Sequence, residues 1–249
     1  MKKPTNTETS KLLEQAWKKF KKKDFAGAEK VFSGILEQEE THKEALMGLS
    51  GSLMRRKEYL PALEVLDKME ELDPKESKIY HLMGLCNGGD ENYEQCIEDL
   101  EKAIELSDDK FEAYFDLGGT YLVTKDYIKA AQCFEKCITL DGTCCEAWTG
   151  KALVAYYNRE HKASLEYLNI ALKLNSKYLL ALLLKLEIFV ELGKQTDAGK
   201  ELKKVLALKP DIFKITHREE DNEMDDDTDV DEDANRSEDD EIEEFDLDD

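Results

Sequence analysis

The sequence contains little proline and little glycine. Its 249 residues include four Pro and 13 Gly, which excludes a collagen-like fibre and a Pro-rich extended protein. Long apolar runs are also missing, since the longest, residues 178–192, is short and is interrupted by Lys185 and Glu187. That stretch does not fit a transmembrane helix. Because 41% of the residues are still hydrophobic, we expect a folded core.

Basic residues are outnumbered, and one segment accounts for most of the difference. The chain has 35 Lys and Arg against 57 Asp and Glu, a net charge of −22. Residues 219–249 hold 20 acidic residues and a single basic one, Arg236, whereas residues 1–23 carry eight Lys against two Glu. A strongly anionic chain repels phosphates, so nucleic acid is disfavoured as the main partner.

The N-terminal residues and the cysteines indicate a compartment. Residues 1–10 are polar and contain no apolar segment, so we expect no signal peptide, no membrane partner and a cytoplasmic protein, with the nucleus as a second location. In that setting cysteines are predicted to be reduced core residues. No CxxC pair is present among them, so neither a metal site nor a cofactor is expected. The six are Cys86, Cys96, Cys133, Cys137, Cys144 and Cys145.

A small residue recurs every 34 residues over six units, at Ala28, Ala62, Cys96, Ala130, Ser164 and Ala198. Four positions after each stands a large apolar residue: Phe32, Leu66, Leu100, Phe134, Leu168 and Leu202. A second column of large residues, from Leu12 to Leu182, is followed in the same way by small ones, except at Leu186. Small residues let helices approach closely and large ones fill the remaining space, so each unit is predicted to be a pair of helices.

These columns resemble the signature of the tetratricopeptide repeat family. The segment Tyr114–Tyr121, continued by Tyr127, Ala130 and Phe134, carries the resemblance most clearly. It implies an all-α fold, a right-handed α-solenoid of antiparallel helix pairs that binds other proteins and does not catalyse a reaction. The predicted organisation is a flexible N-terminus at 1–8, repeats at 9–42, 43–76, 77–110, 111–144, 145–178 and 179–212, and an acidic disordered tail at 213–249.

The resemblance also implies a concave groove, lined by the first helix of each pair, that takes a peptide or an amphipathic helix. Apolar and aromatic residues occupy the corresponding positions, and packing between repeats would explain them equally well. One subclass of the family binds the C-terminal carboxylates of heat-shock chaperones through Lys and Asn on these helices, and no such cationic clamp is found here. The predicted partner-binding residues are Met47, Gly51, Met54, His81, Phe115, Gly119, Leu122, Tyr156 and Leu183.

The acidic segment leaves three roles open. It could act as a solubilising tail, capture basic proteins such as histones, or fold back onto the Lys18–Lys23 face or into the groove. Our leading interpretation is an interaction scaffold or adaptor that uses the groove. A chaperone-like carrier of basic clients that uses the tail is the alternative, and a heat-shock co-chaperone is the third.

Two repeats depart from the pattern. In repeat three, Gly88 and Gly89 are predicted to end the first helix early, which would give a hinge or a longer turn. In repeat six, the first helix is apolar nearly all round and needs to be covered. We expect either residues 212–215 or a second copy of the chain to cover it, so self-association through repeat six is a prediction.

Overall fold

The computed structural model describes residues 6–212, and this part of the chain contains only helices and turns. The predictions for residues 1–5 and for the acidic tail from 213 onward concern residues outside the described range. The helices are α1 (Asn6–Lys21), α2 (Phe25–Leu36), α3 (Lys43–Arg55), α4 (Tyr59–Leu72), α5 (Ser77–Gly89), α6 (Tyr93–Leu106), α7 (Phe111–Val123), α8 (Tyr127–Leu140), α9 (Cys145–Tyr157), α10 (His161–Leu174), α11 (Leu179–Glu191) and α12 (Gln195–Leu208).

The chain divides into two units at Leu208. All twelve helices lie in the first unit, where each odd-numbered helix packs on the even-numbered helix that follows it. The prediction of an all-α solenoid of helix pairs is confirmed. Helix α1 begins at Asn6, which is three residues before the predicted start of repeat one. In the second unit, the described residues 209–212 form a turn in which the Ile212 N–H donates to the Lys209 carbonyl at 3.2 Å.

Burial explains why the 34-residue period is strict. The six small residues of the column from Ala28 to Ala198 are all buried, because they lie where two helices meet. The phenylalanines among the large residues four positions after them pack against the first helix of the next repeat. A Cβ atom on Gly48 would lie 2.2 Å from Phe32 Cζ, and one on Gly150 would lie 2.4 Å from Phe134 Cε1. Glycine therefore stands opposite each phenylalanine of this column, where a side chain would collide with the ring.

The turn inside each pair also repeats every 34 residues. One residue in each turn has a positive φ between 62° and 67°. The six residues are Lys23, Lys57, Glu91, Lys125, Arg159 and Gly193. Because this conformation is strained for residues with a Cβ atom, each of the first five turns holds an unfavourable backbone in place.

The first helix of repeat three does not end early, so that prediction is wrong. Helix α5 runs through Gly88 and Gly89 and has 13 residues, the same length as α3, α7, α9 and α11. Gly89 serves packing instead, since a Cβ atom there would lie 2.4 Å from Cζ of Tyr59 in the preceding repeat. The close approach of that ring decides the residue type, and the turn itself has the common geometry at Glu91.

Repeat six is packed less tightly than the others. Leu202 is half-buried, whereas the five equivalent residues from Phe32 to Leu168 are fully buried. The bulky Leu186 stands in the small-residue column and is half-buried as well. Leu180 and Val190 of α11 are exposed. Self-association through this end of the first unit stays a prediction.

Candidate interaction surface

The first helices of the pairs, α1, α3, α5, α7, α9 and α11, form what we call the first-helix layer. Contacts join α1 to α3, α5 to α7, α7 to α9 and α9 to α11. All nine predicted partner-binding residues lie in this layer and are half-buried, so each has one side in the core and one side accessible. Gly51 is approached by the Phe20 ring at 3.6 Å from its Cβ position, whereas no atom lies within 4 Å of that position at Gly119.

The predicted residues are divided among separate cores. Met47 and Met54 pack against the core of repeats two and three. Phe115 and Leu122 pack against the core centred on repeat four, and Tyr156 against that of repeats five and six. The layer is therefore a row of repeat interfaces, and each of these five residues belongs to the interface at its own position.

Two equivalent cavities open along this layer, one repeat apart. The first has a volume of 320 Å³ and includes Met47, Met69 and Ile79 in its lining. The second has a volume of 470 Å³ and is lined by His81, Leu82, Leu85, Ala103, Ala113 and five further polar residues. Met69 and Ala103 occupy the same position in their repeats, and the smaller Ala103 leaves more space in the second cavity. We name these the Met47 cavity and the His81 cavity.

Three polar bridges cross the layer from one first helix to the next. Trp17 Nε1 donates to Glu44 Oε1 at 2.8 Å, and His81 Nε2 lies 2.6 Å from Asp116 Oδ2. The sequence pattern predicts an apolar and aromatic lining and does not reveal these carboxylates. A sequence pattern that could have revealed these bridges is a polar or aromatic residue on one first helix and an acidic residue about one repeat later, on the next first helix.

The third bridge involves Tyr156, whose hydroxyl lies 2.9 Å from Glu187 Oε1 and 2.8 Å from Glu191 Oε1. Burial, followed by the hydrogen bonds to Glu191 and Glu187, raises the pKa of the Tyr156 hydroxyl. The hydroxyl therefore keeps its proton at neutral pH and acts as a donor. Since it has only one proton, it can donate fully to only one of the two carboxylates at a time.

Cations of the C-terminal first helices point away from this layer. Helix α7 has no Lys or Arg, and α9 and α11 have one each. Lys151 of α9 pairs with Glu135 on α8 and lies 4.9 Å from the Tyr167 ring of α10. Lys185 of α11 donates to Asn169 on α10 at 2.7 Å. The layer of repeats four to six thus combines apolar surface with negative charge.

One contact between neighbouring repeats recurs with changing chemistry. The last residue of a first helix meets the first residue of the preceding second helix. In repeat two, Arg55 lies over the Phe25 ring, 5.7 Å from its centroid. In repeat five, Tyr157 stacks on Tyr127 with centroids 5.6 Å apart. In repeat six, Glu191 lies 3.8 Å from His161.

A second row of clefts lies between the second helix of one repeat and the helices of the next. The first cleft, of 570 Å³, includes Asp67, Glu70, Glu98 and Asp99 in its lining, with Lys102 as its cation. We name it the acidic cleft. Its equivalent one repeat later has 310 Å³ and includes Glu101, Lys129 and Lys136. We name that one the mixed-charge cleft.

The buried polar pair at the acidic cleft was also missed from the sequence. Asn87 Nδ2 donates to Asp99 Oδ2 at 2.7 Å, and Gln95 Nε2 donates to Asp99 Oδ1 at 3.2 Å. Burial raises the pKa of the Asp99 carboxyl, while the two amide donors oppose that shift. Asn87 is the partner that satisfies a buried carboxylate.

The six cysteines are free, and all but Cys144 are buried. Burial raises the pKa of Cys86 and of Cys137 to about 12, so both are neutral thiols. Thiols in this state are weak nucleophiles and poor metal ligands. Within residues 6–212, no group of three or more His, Cys, Asp and Glu side chains is arranged to hold a metal ion.

Comparison with known sequences agrees with this architecture. Models of the tetratricopeptide repeat match residues 19–86, 77–110, 111–144 and 149–211. The chain belongs to the tetratricopeptide repeat family. Tetratricopeptide repeat proteins are generally non-catalytic scaffolds for protein interaction. The described residues include no helix that is both long and apolar enough to cross a bilayer.

Individual relatives are distant. Anaphase-promoting complex subunit 3 of Schizosaccharomyces pombe is 25% identical over 163 residues, which make up 66% of this chain and 24% of that protein. The crystal structure of MamA protein is 25% identical with a TM-score of 0.61, covering 70% of this chain and 94% of MamA. YrrB, a tetratricopeptide repeat protein described as having an unusual peptide-binding site, is 17% identical with a TM-score of 0.56, covering 76% of this chain and 97% of YrrB.

Proposed function

We propose that this tetratricopeptide repeat chain is a non-catalytic adaptor that holds a peptide or a helix of a partner protein across its first-helix layer. The observation that carries the proposal is the pair of equivalent cavities at Met47 and His81. Neighbouring packed helices lie about 8–10 Å apart, so the two cavities suit side chains about seven residues apart in a helix, or about three apart in a polyproline II segment, which has three residues per turn. The peptide-binding site of YrrB, a protein of the same fold, supports the same use of this fold.

Photo-crosslinking tests the proposal. A photoreactive amino acid at Leu85, which lines the His81 cavity, should capture a partner from lysate, whereas the same group at the exposed Ile128 of α8 should not. Replacing Ala103 with Met, the residue of the equivalent position in the Met47 cavity, should reduce capture at Leu85 because it fills the cavity. Equal capture at both positions, or capture that is unchanged by Ala103→Met, would contradict binding in the cavities.

A carrier of basic clients is the second candidate, favoured by the 20 acidic residues of segment 219–249. The two functions differ in their response to salt. A chain that ends at Arg218 and the whole chain can be compared in pull-downs washed at low and at high salt. Partners of the first-helix layer should be kept by the shortened chain at high salt, whereas basic clients of the tail should be lost with the tail or with the salt.

A further inference from the structure

An exposed apolar patch lies on the first-helix layer of repeats four to six. It consists of Val123, Tyr157 and Val190, which are 57%, 50% and 63% exposed and lie in the last turns of α7, α9 and α11. The Tyr157 ring stacks on the Tyr127 ring of α8. We name this surface the last-turn patch. Val123 and Tyr157 occupy equivalent positions, and Val190 comes one residue before the equivalent position in α11, which is Glu191. Exposed apolar residues at the same end of three successive helices are typical of a protein-binding surface.

Two exposed carboxylates that share one hydroxyl donor border the patch. The Tyr156 hydroxyl stands between Glu187 and Glu191 and has one proton for both of them. Arg159 Nη1 forms an ion pair with Glu191 at 3.8 Å, and His161 Nε2 lies at the same distance, so both contacts are longer than a hydrogen bond. Two negative charges one helical turn apart therefore face the patch, and a cation that reached them would donate to both.

The equivalent contact in repeat two, at the end of α3, carries positive charge. There Arg55 covers the Phe25 ring, and Arg56 pairs with Glu29 and Glu58. At repeat two the cations Arg55 and Arg56 lie at the contact, whereas at repeat six Glu187 and Glu191 stand beside a single, more distant cation, Arg159. A negatively charged partner segment would be repelled from the last-turn patch.

We propose that the last-turn patch docks a partner segment in which a Lys or Arg side chain stands beside apolar side chains. The cation lies between Glu187 and Glu191 against the Tyr156 ring, and the apolar side chains cover Val123, Tyr157 and Val190. A cation next to an aromatic ring and two carboxylates gains both cation–π and charge-assisted contacts. This inference rests on the proposed function, because it assigns partner chemistry to one part of the same first-helix layer.

The test uses the full chain and three fluorescent peptides measured by anisotropy: an amphipathic Leu–Lys peptide, the same peptide with Glu for Lys, and the same peptide with Ser for Leu. We expect the Leu–Lys peptide to bind most tightly. The double substitution Glu187→Gln/Glu191→Gln should weaken its binding roughly tenfold, because it removes both charges but keeps acceptors for Tyr156. Tyr157→Ser should weaken it several-fold by removing an apolar contact.

Glu94→Gln/Glu98→Gln is the matched control. It removes two charges at the same i, i+4 spacing on α6, and Glu98 belongs to the acidic cleft. We expect no change in peptide binding from this control. An equal loss in both double variants, or in neither, would overturn the inference, since the attraction would then come from the tail or from diffuse charge.

A photoreactive group separates this inference from the function on which it rests. Placed at Val190, it should crosslink the Leu–Lys peptide, and placed at the equally exposed Leu60 of α4 it should not. If the peptide crosslinks at Leu85 but is insensitive to Glu187→Gln/Glu191→Gln, this inference fails and the proposed function stands. If it crosslinks at neither Val190 nor Leu85, the proposed function fails too.

Discussion

The acidic cleft and the mixed-charge cleft occupy the same place in successive repeats, yet they differ in charge and volume. The residues Asn87 and Asp99 of the acidic cleft correspond to Tyr121 and Cys133 of the mixed-charge cleft, 34 positions later. A polar pair and an aromatic–thiol pair thus fill the same space between the same helices. The repeat therefore determines the backbone, and two side chains determine whether the interface between repeats is polar or apolar.

Removing the donor of the polar pair should have the largest effect. Asn87→Leu introduces the residue found in repeat two at Leu53 and leaves the buried Asp99 carboxylate with Gln95 as its side-chain donor. We expect a loss of about 2 kcal/mol in the free energy of unfolding, since a buried charge without its partner is costly. Urea unfolding followed by circular dichroism measures it.

Two further variants test whether the loss of stability comes from the Asn87–Asp99 pair. Tyr121→Phe removes the corresponding polar group of the mixed-charge cleft, where the hydroxyl donates to Glu101 at 3.1 Å, and should cost only about 0.5–1 kcal/mol. Asn87→Leu/Asp99→Val installs the complete pair of repeat two, Leu53 and Val65, and should recover most of the stability lost in Asn87→Leu. If the double variant were as unstable as Asn87→Leu, the two residues would not form an energetic pair.

The second prediction concerns pH. Burial raises the folded-state pKa of Asp99 above its ordinary value, so the folded protein holds this proton more tightly than the unfolded chain. The penalty for ionised Asp99 is absent below the ordinary Asp pKa, grows as pH rises through the raised folded pKa, and is complete at neutral pH. Asp99→Asn should therefore stabilise the protein at pH 7, by about 1 kcal/mol.

The difference between Asp99→Asn and the unchanged protein should shrink as the pH falls below the ordinary pKa of an aspartic acid. Unfolding midpoints of both proteins at pH 7 and at pH 3.5 give that difference. Cys133→Ser serves as the control at the equivalent position, because it alters the mixed-charge cleft without a carboxyl group. A stabilisation by Asp99→Asn that is the same at both pH values would contradict the role of ionisation.

Features of the fold that depend on periodic burial could be predicted from the sequence. Ala28 and its equivalents are buried at every repeat, so their spacing was sufficient to predict helix pairs and the first-helix layer. It did not predict the Asn87–Asp99 bond, because the two residues lie on different helices and their approach depends on the space between them. The expected early end of α5 was wrong because the packing of Tyr59 on Gly89 outweighs the tendency of glycine to end a helix.

The 34-residue repeat was sufficient to place the nine candidate residues on the first helices, and their role in partner binding stays a prediction. The nine residues from Met47 to Leu183 share a half-buried face because they occupy equivalent positions on the first helices. The carboxylates that meet His81 and Tyr156 come from the next repeat, 31 to 35 residues away in the chain. Side-chain reach between neighbouring helices decides such bridges, and a 34-residue pattern of apolar residues contains no information about it.

The smallest expected effect tests whether the backbones of the two repeats are equivalent. Glu91 and Lys125 hold the positive φ of their turns at 62° and 63°, in repeat three and repeat four. Glycine adopts this conformation without strain, so Glu91→Gly and Lys125→Gly should each stabilise the protein by about 0.5–1 kcal/mol. Gly193→Ala should destabilise the last turn by a similar amount, about 1 kcal/mol.

Thermal unfolding of the three single variants measures these changes. Equal shifts for Glu91→Gly and Lys125→Gly, beside the unequal effects of Asn87→Leu and Tyr121→Phe, would place the difference between the repeats in their side chains. Unequal shifts for the two turns would mean that the backbone of repeat three is itself held differently, despite its matching φ value. Gly34→Ala in α2, where no atom lies within 4 Å of the added Cβ, controls for the general effect of changing a glycine.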